Sequence, residues 1–551
     1  MSLVDAGTGI VSEDARAKIE EALPTEAIVP PKKRRKLLIY DVNVGYPGHP
    51  SRFFANLAIK RMGETTGAFE TVISRDPSVF ETGSLRQFDA VFLNNTVGNL
   101  FIDPQLRKSL LEFVCGGGGL LGVHGTSVAF THWPGAREDW PEFAAMLGAR
   151  GANHRDSDEH VVFKFDDANH PLNTPFGNKR FDFRDEFFRV HEPYSRDRVR
   201  VLFSIDTERT DMNQGAARGR CDRADDDYAL AWVRNYGRGR IFYCTVAHNP
   251  YVFWDSTMLR FYLGAVQFAL GDLPAPTIPS ARLSPAVKAQ ETLGWRLGVT
   301  AYSFHKYTLF EAIDKTSELG LPYLGGLSFQ PVSREIPKNF DCHLSDDELR
   351  QIRLKLDSAG VRLLTHYYAE IPGDEEGCRR VFDFGRKMGI ETFISEPPLE
   401  ALDLIESYCD EYDIKLAIHN HGQQQSPHYW HPKKILEVCD GRSDRIGACA
   451  DVGYWVRSGI DPIDGLRTIG NRLITVQMHD LHERSGEGHD VPWGSGVVDV
   501  EKLLMEFHRL GIQPTMFGLE YSFDWLDSMP EIAESIDFFN SVSLKLVRGK
   551  D

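Results

Sequence analysis

Residues 415–422, Lys-Leu-Ala-Ile-His-Asn-His-Gly (KLAIHNHG), set two histidines one residue apart at the end of an apolar run. A short apolar run stopped by glycine reads as a buried strand. Residues i and i+2 of a strand point to one side, so His419 and His421 face one place together. There they pack, hold a metal ion or move protons.

The same kind of run recurs at 296–304, 323–329, 361–368, 390–396, 445–451, 473–480 and 516–522. Amphipathic segments such as LSDDELRQIRLKLDSAG and CRRVFDFGRKMG lie between them, the latter ending on a glycine suited to a helix C-terminus. Eight strand-helix units in this stretch match a (β/α)8 barrel in number and size. Upstream, KLLIYDV (36–42), FDAVFLNN (88–95) and GGLLGVHG (118–125) alternate with helical stretches, as buried parallel strands of an open α/β sheet do. Between Gly271 and Pro285 the prolines 274, 276, 279 and 285 exclude a helix interior or central strand and mark a seam. The expected organisation is an N-terminal extension (1–35), a doubly wound sheet domain (36–275), a linker (276–290) and a barrel (291–551).

Composition narrows the partners. With 551 residues, 42% hydrophobic and 26% charged, the chain has the material for two ordinary globular cores. A net charge of −17 opposes a sequence-independent grip on nucleic acid. The basic run Lys32–Lys36 reads as a solvated linker, with a targeting signal or an anionic partner as alternatives. The eight cysteines show neither CxxC pairs nor regular spacing, so reduced thiols are expected. The first residues lack the pattern of a signal peptide and no apolar run is long enough for a membrane span, which makes the cytoplasm the default location. The sequence is compatible with a homo-oligomer and leaves the oligomeric state open.

A barrel of this type carries its chemistry at the carboxyl ends of its strands. Read in order, the barrel runs end at His366, Glu396, His419 with His421, Asp451, His479 and Glu520. Each has a structural alternative: His366 as a loop histidine or substrate contact, Glu396 as a carboxylate at a helix N-terminus, Asp451 and Glu520 as hydrogen-bond acceptors. Together they change the balance, because several carboxylates buried in one mouth repel unless a cation or shared protons neutralise them. A divalent ion held by mixed carboxylate and imidazole ligands is the simplest solution, with manganese, magnesium, cobalt or zinc all compatible. Such an ion polarises a hydroxyl-carbonyl pair and stabilises an enediolate, while a Glu or His removes the proton next to the carbonyl.

The motifs KLAIHNHG, GACADVGYWVRSGIDP, ITVQMHDL, HDVPWGSGVVD and GLEYS resemble the xylose-isomerase-like barrel family of sugar phosphate isomerases and epimerases. The resemblance implies a metal held at the ends of strands five to eight, here His419, Asp451, His479 and Glu520, with Glu396 as a substitute ligand or as the base. His419 stands where many members carry a glutamate, which argues against a symmetric two-glutamate epimerase. Tyr454 stands where the related endonuclease IV group carries a histidine, which together with the acidic charge disfavours a metal phosphoesterase acting on DNA. His421, Glu396 and Glu520 are the expected catalytic groups. His366, His489 and Trp493 are the expected substrate contacts, with Trp493 the first candidate for stacking on a sugar.

The first half, with CGGGGLLGVHGTS, DEFFRV and YALAWVRNYGRGRIFYCTVAHNP, resembles the trehalose-utilisation (ThuA-like) domain, a flavodoxin-like relative of class I glutamine amidotransferases. Where an amidotransferase carries its cysteine nucleophile this chain has His124, and Cys115 lies nine residues too early. Glutaminase activity is therefore not expected. His124, His154, Glu186 and His248 are candidates for a pocket that takes a sugar or an ion, and the glycines 116–119 for a weak phosphate cradle. The combined expectation is a metal-dependent sugar isomerase, epimerase or keto-glycoside lyase, with a non-catalytic sugar-binding barrel as the rival.

Overall fold

The computed structural model describes residues 11–131, 138–215 and 222–549; the first ten residues and Cys221 lie outside this range. The chain divides into two compact units, Met1–Ala281 and Arg282–Asp551.

The first unit contains β1 (Lys36–Tyr40), β2 (Glu70–Ser74), β3 (Ala90–Asn94), β4 (Gly119–Val123), β5 (Arg150–Asn153), β6 (Glu159–Phe165), β7 (Asp182–Asp185), β8 (Arg189–His191), β9 (Arg200–Ile205), β10 (Ala229–Tyr236) and β11 (Gly239–Cys244). Nine of them form one sheet in the order β2-β1-β3-β4-β11-β10-β9-β6-β7, and β5 pairs with β8. The half from β2 to β11 is parallel, and the rest is antiparallel. β3 and β4 are buried along their whole length, as parallel strands covered on both faces must be.

Three expectations change in this unit. The N-terminal extension is part of the fold: Ser12 caps the helix Glu13–Ala22, whose Ala15 and Ile19 are fully buried in the core of the unit. Such a cap is worth about 1 kcal/mol. The basic run is solvated only in part: Lys32, Lys33 and Arg34 are exposed, but Arg35 is buried against Asp272 (2.6 Å) and Asp89 (3.0 Å), and Lys33 pairs with Asp89 (2.9 Å). Of the glycines after Cys115, two serve close packing: a Cβ at Gly118 would stand 2.3 Å from the Phe113 ring, and one at Gly119 2.2 Å from the Ala269 carbonyl oxygen.

The second unit is a closed parallel barrel of β12 (Leu297–Thr300), β13 (Tyr323–Leu327), β14 (Arg362–Tyr367), β15 (Thr392–Ser395), β16 (Lys415–His419), β17 (Ile446–Asp451), β18 (Leu473–Met478) and β19 (Phe517–Leu519). Strand alternation sorts its side chains. Ile394, Ala417, Cys449 and Ile474 cluster with one another, while Leu416, Ile418, Ala448, Ala450, Phe517 and Leu519 pack into the large core shared with the helices. The linker is shorter than 276–290, because Pro285 starts a helix, Pro285–Leu293, with Ser284 as its cap. Gln290 of that helix donates to Asn540 (2.7 Å) on the C-terminal helix Met529–Arg548. Among the described residues no helix is long and apolar enough to cross a membrane.

Candidate active site at the barrel mouth

β17 ends on Asp451, and His479 and Glu520 directly follow β18 and β19. All three side chains are buried, and their ligand atoms lie within 4.8 Å of one another. Each has one polar atom engaged by the protein and another turned inward. Asp451 Oδ1 accepts from the Tyr454 N–H (2.7 Å), leaving Oδ2. Glu520 Oε2 accepts from Thr300 Oγ1 and Gln477 Nε2 (both 2.8 Å), leaving Oε1. His479 Nδ1 bonds Asp490 Oδ1 (2.8 Å), and its buried Nε2 has no hydrogen-bond partner. That Nε2 faces Asp451 Oδ2 at 3.5 Å and Glu520 Oε1 at 3.9 Å.

The histidines of KLAIHNHG do share a place, their ring centroids 4.5 Å apart. Both bond Glu396, which follows β15, and these three form a second group able to hold a metal. His419 joins the two groups: Nδ1 is 3.0 Å from Glu396 Oε1, and Nε2 is 3.5 Å from Asp451 Oδ2. Three inward atoms therefore surround one region, Asp451 Oδ2, His479 Nε2 and Glu520 Oε1, and His419 Nε2 approaches it at Asp451 Oδ2. An orphaned buried imidazole nitrogen among carboxylate oxygens, with no thiolate, fits a divalent cation of the manganese, magnesium, cobalt or zinc class.

Without a cation the charges compensate imperfectly. Burial opposes ionisation of Asp451, but His479 and His419 outweigh it and hold the carboxyl well below its usual range. Burial pushes the Glu520 carboxyl up, and the Asp451 charge adds to the rise against the pull of His479. Burial would lower His419, yet Asp451 and Glu396 raise it to about 9. Burial would raise Glu396, and the two histidines bring it down to about 2.

Other sequence candidates fall elsewhere. On β14 the residue that faces the interior is Tyr367, not the expected His366. Tyr367 packs on the interior cluster, whereas His366 points into the helix layer between Phe340 (4.9 Å) and Phe384 (5.3 Å), where burial lowers its pKa to about 3. Trp493 is no rim residue either. The Asp480 carboxylate gathers the N–H groups of Gly494, Gly496 and Val498 (2.9 Å each) and folds the loop inward. This leaves Trp493 in the core, 6.2 Å from the Phe539 ring. His489 is half-buried, stacked between His482 (3.9 Å) and Phe523 (4.1 Å).

Aromatic rings that the sequence reading passed over border the ligand cluster. Tyr367 lies 5.6 Å from His419, Phe329 6.2 Å from Tyr367, Tyr302 6.5 Å from Phe329, and Trp525 5.3 Å from Tyr302. Asp490 was also missed, although it neighbours His489 in the HDVPWGSG motif. Its buried carboxylate fixes the His479 tautomer and accepts from Ser522 N (2.9 Å). Asp490→Asn is expected to weaken Mn²⁺ binding about 10- to 100-fold. Calorimetric titration of the stripped protein checks this, and an unchanged affinity would remove Asp490 from the site.

Residues 36–269 match the family described as trehalose utilisation (ThuA), and residues 397–542 match the xylose isomerase-like TIM barrel. The chain joins a ThuA domain to a xylose isomerase-like barrel. A curated relative from Sinorhizobium fredii, the uncharacterized protein y4fM, is 26% identical over 157 residues, 27% of this chain and 47% of the relative. The chain thus spans about half that relative's length. Among solved structures, an uncharacterized protein from Parabacteroides distasonis is 31% identical (TM-score 0.38), covering 45% of this chain and 99% of that one. A D-tagatose 3-epimerase-like protein is 15% identical (TM-score 0.35), covering 45% and 98%.

In the ThuA domain, His124, His154, Glu186 and His248 come together, along with His49, which the sequence reading missed. Glu186 Oε1 is 3.3 Å from both His124 Nε2 and His248 Nδ1, and its Oε2 is 3.1 Å from His154 Nδ1. Burial lowers the pKa of His124 to about 4 and that of His49 to about 2, so both rings are neutral at pH 7. Cys115 ends the helix Pro104–Cys115, ahead of β4, and His124 occupies the elbow behind that strand.

Proposed function

We propose that the barrel is a divalent-metal-dependent sugar isomerase, epimerase or lyase that removes the proton next to a carbonyl of a sugar or keto-glycoside. The observation that carries this reading is the set of inward ligand atoms on Asp451, His479 and Glu520, with His419 beside Asp451, each steered by a bond to its other polar atom. In this reading those four residues hold the ion, Glu396 is the base, and His421 is its proton partner. A bound divalent ion would polarise the substrate carbonyl and offset the negative charge that develops on its oxygen.

The remaining steps belong to the chain. When His419 is neutral, as a metal ligand must be, Glu396 loses a cationic neighbour and becomes a better base. His421, bonded to Glu396, receives or returns the proton. Tyr367, Phe329 and Trp525 offer faces on which the apolar side of a sugar can stack. Glu396 and His421 form one proton-handling pair, which favours proton transfer on a single face of the substrate. Isomerisation or β-elimination meets that condition more readily than inversion by two opposed bases.

Turnover of free ketoses and 3-keto-glucosides in D2O, followed by NMR, tests the proposal. The expected result is deuterium next to the carbonyl of an isomerised product, or loss of that hydrogen with release of the aglycone, with activity lost on chelation and restored by Mn²⁺. Turnover indifferent to chelation overturns the metal role. Tight sugar binding without any product points instead to a binding protein.

A further inference from the structure

We propose that the ThuA domain carries a metal site of its own, independent of the barrel, in which His124, Glu186 and His248, with His49 above them, hold a divalent transition ion of the zinc class. The first ground is spacing. His124 Nε2, His248 Nδ1 and Glu186 Oε1 are separated pairwise by 3.2, 3.3 and 3.3 Å. Four ligands at about 2.0–2.1 Å around a tetrahedral ion stand about 3.3 Å from one another. Two imidazole nitrogens and a carboxylate oxygen already lie at that separation.

The second ground is how the ligands are held. His124 Nδ1 is 2.9 Å from the Thr245 carbonyl oxygen, which can only accept, so the proton sits on Nδ1 and the Nε2 lone pair faces the cluster. The backbone N–H groups of His248 and Asn249 donate to Asp185 (3.0 and 2.8 Å), which pins the loop that carries His248. His154 engages the outer oxygen of Glu186, so Oε1 is the oxygen presented to the cluster.

The third ground is an unexplained nitrogen. His49 is only 4% exposed, its Nδ1 is buried without a hydrogen-bond partner, and its ring lies against His124 (4.8 Å) and His248 (5.1 Å). A buried imidazole nitrogen left in this state is destabilising unless something accepts its lone pair. The fourth ground is backbone strain. His124 has φ +41°, a left-handed conformation that a non-glycine residue rarely adopts and that recurs at functional sites. Three imidazoles and one carboxylate form a nitrogen-rich set, which favours zinc, cobalt or nickel over magnesium and calcium.

The test uses the full chain with the barrel cluster disabled by Asp451→Asn and His479→Asn, stripped and then reloaded with zinc or cobalt. The expected result is one tightly held equivalent of zinc per chain and visible absorption bands of nitrogen-ligated Co²⁺. Adding His124→Asn, which tolerates the left-handed turn, should remove both. His248→Gln, at a partly exposed position, should do the same and guards against a folding defect in the first variant. Less than a tenth of an equivalent of zinc in the barrel-disabled chain overturns the proposal. So does the same zinc content with and without these substitutions in folded protein.

Discussion

Glu520→Gln is expected to lower turnover by on the order of 10³-fold and to abolish stoichiometric metal binding. Glu520 Oε2 accepts two hydrogen bonds, from Thr300 and Gln477, and only Oε1 is free. In the amide one position becomes a donor. If the amide oxygen keeps the bonds to Thr300 and Gln477, the NH2 group turns inward, where it has no lone pair for an ion. If the amide flips, its NH2 meets the Gln477 donor. The metal-free protein should respond in the opposite sense. Burial and Asp451 already push the Glu520 carboxyl up, so a neutral group at this position relieves repulsion. The metal-free variant is therefore expected to unfold at no lower temperature than the metal-free parent. Metal analysis with thermal unfolding separates the two effects, and full metal content with undiminished turnover would sink the role given to Glu520.

Glu396→Gln should lower kcat by about 10²- to 10⁴-fold, the range that a positioned acid or base contributes, while metal content stays stoichiometric. Glu396 lies behind His419, 3.0 Å from its Nδ1, and the inward Nε2 of that ring is the nitrogen that approaches Asp451. Solvent deuterium exchange into the substrate should slow with kcat. Loss of metal in parallel with turnover would mean instead that Glu396 is a ligand and His419 is not. The two variants thus divide the mouth into a part that holds the ion and a part that moves the proton.

The sequence exposes the barrel because its periodicity is strong: apolar runs separated by amphipathic helices can bury their faces in few ways. It points to the strand-end residues because ligands must lie where the strands stop, and Glu396, His419, His421, Asp451, His479 and Glu520 all stand there in the structure. It fails where one residue of parity decides. His366 and Tyr367 are neighbours, and only the pairing of β14 with β13 and β15 sets which of them looks inward. It fails again at Trp493, whose burial depends on Asp480 collecting three N–H groups of its loop.

In the ThuA domain His49 could not be joined to His124, Glu186 and His248 from spacing, because His49 and His248 are 199 positions apart. The three histidines converge because β1, β3, β4 and β11 lie side by side in the parallel half of the sheet, and Glu186 joins them through Asp185, which accepts from the His248 and Asn249 N–H groups. The basic run before β1 gives the same lesson, since its partners Asp89 and Asp272 are distant in the chain.

The sequence by itself determined the two α/β architectures, an acidic net charge, and a set of metal-compatible side chains at the strand ends. These follow from local periodicity and composition, which act without knowledge of distant neighbours. Only the tertiary structure decided which atom of each ligand is free, that Asp490 orients His479, and that tyrosines and Trp525 border the mouth in place of Trp493. Those features rest on hydrogen bonds and packing between segments far apart in the chain, and no local pattern encodes them.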